Sequence, residues 1–143
     1  MPTPESPLRS RPFHWDYVID LTDLDYMNIV GNAAWLLILQ KARGDLLRQL
    51  GYPIERLFED GIGGVVQEAR VLYLRSGRFM DPIRVETVAT DPTNTGLILR
   101  HRVTHSATGK LLIKGELSMV FVDNGNGYKG MAMPEEIRRG LFG

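Results

Sequence analysis

Two aspartates and an asparagine lie close together before the middle of the chain, and their types and spacing suit acid–base or nucleophilic chemistry. Asp23 and Asp25 are two residues apart, and Asn32 follows Asp25 by seven residues. A loop of that length can return the Asp25 carboxylate to the start of a following helix, where unpaired backbone N–H groups and the helix dipole bind anions. A carboxylate in that position can act as a base or nucleophile while the N–H groups hold developing negative charge.

The same residues also have structural interpretations. Aspartate commonly closes a loop or caps a first helical turn, so Asp25 has this alternative role. Asn32 is a favoured N-cap residue, which is compatible with presenting the amide groups of the helix. Asp23 is expected to fix the turn rather than to take part in the chemistry. Paired carboxylates also occur in Mg²⁺ and Ca²⁺ sites, but no further acids follow at suitable spacing, so no metal is expected.

A long helix is predicted directly after these residues. Gly51 is the expected C′ residue and Pro53 forbids continuation, so the helix should run from about Ala33 to Leu50. Its first half, AAWLLIL, is apolar on every side and must therefore be enclosed by a large surface. Apolar residues at steps of three and four lie on one face of this helix: Trp35, Leu39, Ala42, Leu46 and Leu50.

The remaining segments predict strands joined by turns. The short connections at 91–96 and 107–110 indicate antiparallel hairpins. The glycine cluster at 61–64 is expected to be a loop, because the Lys-Ser/Thr of a phosphate-binding loop is missing. Short helices are predicted at 53–60 and 134–139. The predicted strands are 15–21, 65–73, 83–89, 97–105 and 111–122.

Composition limits the possible partners. The 143 residues predict a single domain over 1–143, with a loose proline-containing lead-in over 1–12. Seventeen basic and seventeen acidic residues balance, so neither nucleic acid nor an anionic membrane is an expected partner. The absence of cysteine excludes disulfides, thiolate metal sites and cysteine nucleophiles. No apolar run is long enough for a bilayer, and we expect a soluble cytoplasmic protein.

One apolar helix and about five antiparallel strands have few good packings. The sheet must curl around the helix to bury it, which gives an α+β fold. A curled sheet of this kind has open edges that can pair with another copy, so a homodimer is expected.

The segment DLDYMNIVGNAAWLLILQKARGDLLRQLG resembles the opening motif of the hot-dog-fold acyl-CoA thioesterases of the 4-hydroxybenzoyl-CoA thioesterase family. That motif is D-x-D-x-x-G-x-V-x-(N/H)-x-x-(Y/W), followed by a helix that contains A-R and ends in L-G. Residues 73–81 are similar to the family's Y-x-x-P-A-x-x-G-D turn, and the likeness covers about residues 15–140. Asn28 replaces a glycine, Ser76-Gly77 replaces Pro-Ala, and Gln40 replaces a common glutamate. The matching residues of the first motif are Asp23, Asp25, Val30, Asn32, Trp35, Ala42, Arg43, Leu50 and Gly51.

The resemblance implies a hot-dog fold and hydrolysis of an acyl-CoA or acyl-carrier-protein thioester without a cofactor. By position, Asp25 either activates water or attacks directly, and the amides near Asn32 polarise the thioester carbonyl. Trp35 is expected in the core or against the acyl group. Arg75 and Arg78 flank a turn and either meet the phosphates of CoA or are simply solvated. The expected assembly is a homodimer that pairs into a homotetramer, a dimer of dimers.

Two other functions are alternatives to hydrolysis. A hot-dog dehydratase needs a histidine beside an acid, and residues 15–100 contain no histidine. A non-catalytic acyl-thioester binding or regulatory domain would have the same fold. His101 and His105 share one side of a strand, but they lack a third metal ligand and are more simply surface histidines.

Overall fold

The computed structural model describes residues 8–143, which form one antiparallel sheet and three helices. A short 3₁₀ helix, Leu21–Asp23, lies between the first strand and the loop that contains Asp25. The strands are β1 (Phe13–Val18), β2 (Ile62–Tyr73), β3 (Pro82–Thr90), β4 (Gly96–His105), β5 (Leu111–Asp123) and β6 (Lys129–Gly130), and the helices are α1 (Asn32–Gln49), α2 (Ile54–Glu59) and α3 (Glu135–Phe142).

The sheet has the strand order β1-β3-β4-β5-β2, with the two-residue β6 added beside β5. Strands β3, β4 and β5 form the two predicted hairpins. Strand β2 does not join its neighbour in sequence but pairs antiparallel with β5 at the edge. The sheet curls around α1, which confirms the predicted α+β hot-dog fold. The prediction of about five strands missed only the two-residue β6.

Helix α1 packs against the concave face of the sheet through the predicted apolar stripe. Of the predicted stripe, Trp35, Leu39, Ala42 and Leu46 are buried and Leu50 is half-buried; Ile38 is buried as well. Burial of such side chains stabilises the fold by about 1.5–3 kcal/mol each before entropic costs. The helix ends as predicted, because the glycine after Leu50 has a φ of +77°, a conformation that glycine adopts without strain.

Both the cap and the enclosure of α1 differ from the prediction. The N-cap is Gly31, and Asn32 is the first helical residue with an exposed side chain that makes no capping bond. Leu36 and Leu37 are 41% and 57% exposed. A single copy of the chain therefore does not enclose the apolar first half of α1 on every side.

Two other segments correct the prediction from sequence. The glycine cluster at 61–64 is not a loop, because β2 already begins at Ile62 and pairs there with Asp123. Residues 1–7 of the predicted loose lead-in lie outside the described residues, but Ser10 is buried and not loose. Its amide donates to the Ala89 carbonyl, and its hydroxyl accepts from the Ala89 amide. Strand β1 also begins two residues earlier than predicted and ends at Val18.

The two histidines of β4 are not both surface residues. His101 is fully buried on the concave face, and its Nδ1 lies 2.9 Å from the hydroxyl of Thr87 on β3. His105 lies at the end of the strand, where its side chain is 3.4 Å from Asp81 and 18% exposed. The surface interpretation of His101 was therefore wrong, because odd positions of β4 face α1.

Among residues 8–143, the helices are all too short or too polar to cross a membrane.

Candidate active site

The loop between the 3₁₀ helix and α1 is held in a tight turn around Asp25. The Asp25 amide donates to the Ile29 carbonyl, and the Asn28 amide donates to the Asp25 carbonyl. Asn28 has a φ of 61°, which glycine adopts freely and asparagine tolerates better than most residues. Asparagine in place of the family glycine is therefore compatible with this turn.

The Asp25 carboxylate lies against the N-terminus of α1. Its Oδ1 accepts a 2.7 Å hydrogen bond from the Met27 amide, which fixes the side chain. A Cβ atom placed on Gly31 would lie 3.5 Å from Asp25 Oδ2 and 3.3 Å from Asp25 Cβ. Glycine at the N-cap therefore leaves the room in which the carboxylate sits. Asp25 remains exposed, so water and a substrate can reach it.

The first turn of α1 presents unused hydrogen-bond donors. The first intrahelical bond runs from the Trp35 amide to the Gly31 carbonyl, at 3.1 Å. Within residues 8–143, the amides of Asn32, Ala33 and Ala34 have no acceptor. These three N–H groups and the helix dipole form a site for negative charge. The carboxylate at one side and the donors at the other can act together on a polarised carbonyl.

Asp23 stabilises the turn before the Asp25 loop through hydrogen bonds, as predicted. Its Oδ2 accepts from the Tyr17 hydroxyl at 2.6 Å and from the Asp20 amide at 2.8 Å. Its carbonyl accepts from the Gly31 amide at 3.2 Å. Burial and then the bond to Asp23 raise the pKa of Tyr17. Asp23 therefore positions Gly31 and the start of α1.

A second loop, 74–81, packs against the first. The Val30 amide donates to the Gly77 carbonyl at 2.9 Å. A Cβ atom on Gly77 would lie 2.8 Å from Cζ2 of Trp35 and 3.0 Å from Cγ2 of Val30. Glycine in place of the family alanine is thus required by the Trp35 ring, which fills the space beneath the loop.

The three residues predicted to bind substrate differ in their burial and their contacts. Trp35 is only 2% exposed and belongs to the core, so a direct contact with substrate is not supported by its position. Arg75 is exposed, and its Nη1 donates to the Leu111 carbonyl at 3.0 Å. Arg78 has an exposed side chain on the loop that contacts the Asp25 loop. Arg78 is therefore better placed than Trp35 to meet a ligand.

Tyr73 is a residue near the candidate site for which the sequence motifs predict no role. Its hydroxyl lies 3.5 Å from the Asn32 carbonyl, and the residue is 49% exposed. This places a neutral hydroxyl beside the first turn of α1. The sequence could have indicated this position, because Tyr73 ends a predicted strand and the alternation of that strand directs its side chain toward the helix. Throughout 8–143, no three acidic or histidine side chains are grouped as a metal site would require.

Comparison with known proteins also identifies thioesterases as relatives of this chain. The model of the thioesterase-like superfamily matches residues 19–141. The acyl-CoA thioester hydrolase YbgC of Escherichia coli is 26% identical over 111 residues, which cover 78% of this chain and 82% of YbgC.

Two solved structures have the same fold. Slr0204, a 1,4-dihydroxy-2-naphthoyl-CoA thioesterase from Synechocystis, superposes with a TM-score of 0.84 at 14% identity, covering 91% of this chain and 95% of that chain. SAV2348 from Staphylococcus aureus, solved in complex with CoA, has a TM-score of 0.81 at 17% identity, covering 92% of this chain and 82% of that chain. The resemblance stated from the sequence motifs is confirmed, and the chain belongs to the thioesterase-like superfamily.

Proposed function

We propose that this protein hydrolyses acyl-CoA thioesters to a free acid and a thiol at the N-terminus of α1. The observation that carries the proposal is the Asp25 carboxylate beside Gly31, next to three amides for which residues 8–143 supply no acceptor. YbgC, a relative of similar length, is named an acyl-CoA thioester hydrolase. Membership of the superfamily and this geometry therefore support the same reaction.

In the proposed reaction, the thioester carbonyl oxygen points toward the amides of Asn32 to Ala34. Asp25 either removes a proton from an attacking water or attacks the carbonyl carbon itself. The carbonyl oxygen gains negative charge in both cases, and the helix N-terminus stabilises it. The C–S bond then breaks. When Asp25 acts as a base, the leaving thiolate takes up the proton that Asp25 removed from water, and the free acid is formed directly. When Asp25 attacks, the thiolate takes up a proton from solvent, and water then hydrolyses the acyl–Asp25 anhydride to release the free acid and restore the carboxylate. An acyl-carrier-protein thioester presents the same reacting atoms.

The reaction is tested by incubating the protein with a panel of acyl-CoAs and measuring released thiol with a disulfide reagent. The protein contains no cysteine, so it contributes no thiol signal of its own. We expect release above the uncatalysed rate for at least one acyl group. A protein that binds acyl-CoA in a direct binding assay but releases no thiol from any member would instead be a non-catalytic acyl-thioester binding domain.

Arg78 is proposed to bind the phosphates of CoA, with Arg75 as a secondary contact because its guanidinium already donates to Leu111. Arg78→Ala should raise KM for an acyl-CoA about two- to tenfold and leave kcat nearly unchanged, since the phosphates are bound equally in the ground and transition states. Steady-state kinetics measure both constants.

The control for this prediction is a substrate without the nucleotide. Hydrolysis of the corresponding acyl-pantetheine should be equal in the wild-type protein and in Arg78→Ala. Arg102→Ala, which removes an exposed arginine from the outer face of β4, should not alter KM for either substrate. An unchanged KM for acyl-CoA in Arg78→Ala would contradict the phosphate contact.

The proposed assembly is a homodimer joined along β2, which then pairs into a dimer of dimers. Strand β2 is an edge strand, and Val65 and Val66 are 41% and 37% exposed. On α1, Leu36 and Leu37 are also exposed. Open strand edges with apolar side chains favour pairing with a second copy.

Val66→Glu is expected to reduce the mass of the assembly, because it places a charge at the proposed β2 interface. Light scattering coupled to size-exclusion chromatography measures the mass. Val18→Glu is the matched control, since Val18 is 49% exposed on β1 at the opposite edge of the sheet. If Val66→Glu has the same mass as wild type while Val18→Glu is smaller, the interface lies along β1 instead.

A further inference from the structure

Two buried nitrogen atoms near the middle of α1 have no hydrogen-bond partner. They are Nη1 of Arg43 and Nε2 of His101, and neither atom has a partner among residues 8–143. Arg43 lies on α1, and His101 faces that helix from β4. Buried polar groups are almost always paired, and a charged group without a partner is especially costly. Neither atom takes part in the proposed hydrolysis.

The local charge at this position is positive. Burial and, secondly, the nearby Arg43 charge lower the pKa of His101 to about 3, so the imidazole is neutral near pH 7. Burial lowers the pKa of Arg43 as well, but an arginine stays protonated in proteins. When the Thr87 hydroxyl donates to His101 Nδ1, the Nε2 atom carries the proton.

A cavity of about 660 Å³ is lined in part by Arg43 and lies between α1 and the sheet. Its volume falls within the range of small-molecule sites. The walls are mainly leucine, valine, methionine and phenylalanine side chains from α1, α2, β2, β4, β5 and α3. Lys41 and Arg43 supply its charges, and within the described part of the chain no acidic side chain lines it. An apolar cavity with a positive charge at its wall complements an amphipathic anion.

The cavity is separate from the proposed catalytic site. Arg43 follows Asn32 by eleven residues on α1, which corresponds to roughly 16 Å along the helix axis. Asp25, Gly31 and the free amides of the first turn do not line it.

We propose that this cavity binds a carboxylic acid with an apolar chain, with the carboxylate on Arg43 and the chain among the apolar side chains between α1 and β5. His101 does not line this cavity, so its Nε2 is not part of the proposed site. A carboxylate suits this position because guanidinium binds it through paired donors. The ligand neutralises the guanidinium of Arg43, whose Nη1 has no hydrogen-bond partner within residues 8–143.

The test is calorimetric titration of the full-length protein with decanoate, and with decanol as an uncharged ligand of the same chain length. Decanoate is expected to bind the wild-type protein, and Arg43→Met should weaken that binding about ten- to hundredfold, as loss of a charge-assisted hydrogen bond implies. Decanol should bind the wild-type protein and Arg43→Met with similar affinity.

Two further variants complete the design. Arg48→Met removes an exposed arginine of the same helix that pairs with Asp45, and it should bind decanoate like wild type. Arg43→Lys keeps a positive charge and should recover part of the affinity that Arg43→Met loses. Circular dichroism establishes that each variant is folded.

Decanoate that binds equally to the wild-type protein and to folded Arg43→Met would overturn the proposal. So would a wild-type protein that binds no decanoate, which is the result expected if a second copy supplies the acceptor for Arg43. Neither result bears on hydrolysis at Asp25, because thiol release is measured separately.

Discussion

Asp25→Asn is expected to lower kcat for acyl-CoA hydrolysis by about 10²- to 10⁴-fold, the usual range for a positioned acid–base group. The asparagine amide oxygen can still accept from the Met27 amide, so the turn that holds the side chain should persist. The variant loses only the negative charge and basicity beside Gly31. Single-turnover measurements with an acyl-CoA separate this loss from changes in substrate binding.

The matched control for this variant is Asp123→Asn. Asp123 Oδ1 accepts from the Gly125 amide, two residues later, in the same type of turn as Asp25 and Met27. It lies at the end of β5 rather than beside the N-terminus of α1. Asp123→Asn should therefore turn over like wild type. Wild-type turnover by Asp25→Asn would remove Asp25 from the mechanism.

Trp35→Ala is expected to lower the free energy of unfolding by about 3–5 kcal/mol, the usual cost of replacing a buried large aromatic side chain with alanine. Trp35 is among the largest fully buried side chains, and its ring supports Gly77 beneath the second loop. Alanine leaves a void at this contact that the surrounding residues fill only in part. Urea titration followed by circular dichroism measures the loss.

Trp15→Ala is the comparison for the Trp35 variant, since the chain has two tryptophans. Trp15 is only partly buried and stacks on Tyr17 with ring centroids 5.1 Å apart. Its removal should cost less than that of Trp35. If Trp35→Ala kept wild-type stability but raised KM for acyl-CoA, Trp35 would be a substrate contact rather than a core residue.

Most of α1 was predictable because its determinants are local. The apolar stripe, Gly51 and Pro53 all act within one or two turns of the chain. The cap was not predictable from residue preference alone. Asn32 is the better capping type, but Gly31 holds that position, and any larger side chain there would press on Asp25. The placement of Asp25 depends on the fold of the preceding loop.

The candidate site shows the same division between local and tertiary effects. Alternation in β4 predicted that His101 and His105 share a face, but not that α1 covers one of them. The sequence predicts Arg75 to be a solvated surface residue or a phosphate contact. In the structure its guanidinium donates to the Leu111 carbonyl. The exposure of Leu36 was also unpredictable, because it depends on how far a single copy of the sheet extends around the helix.

The order of strands in the sheet also bears on how the chain folds. Strand β2 is made before β3 and β4, but Val66 lies opposite Met119 of β5, so its partner emerges last among the long strands. The hairpins β3–β4 and β4–β5 involve short separations and should form early. Closure of β2 onto β5 requires ordering a long intervening segment, which slows folding in proteins of high contact order. We therefore expect a newly synthesised chain to leave Ile62–Tyr73 without its partner until β5 has left the ribosome.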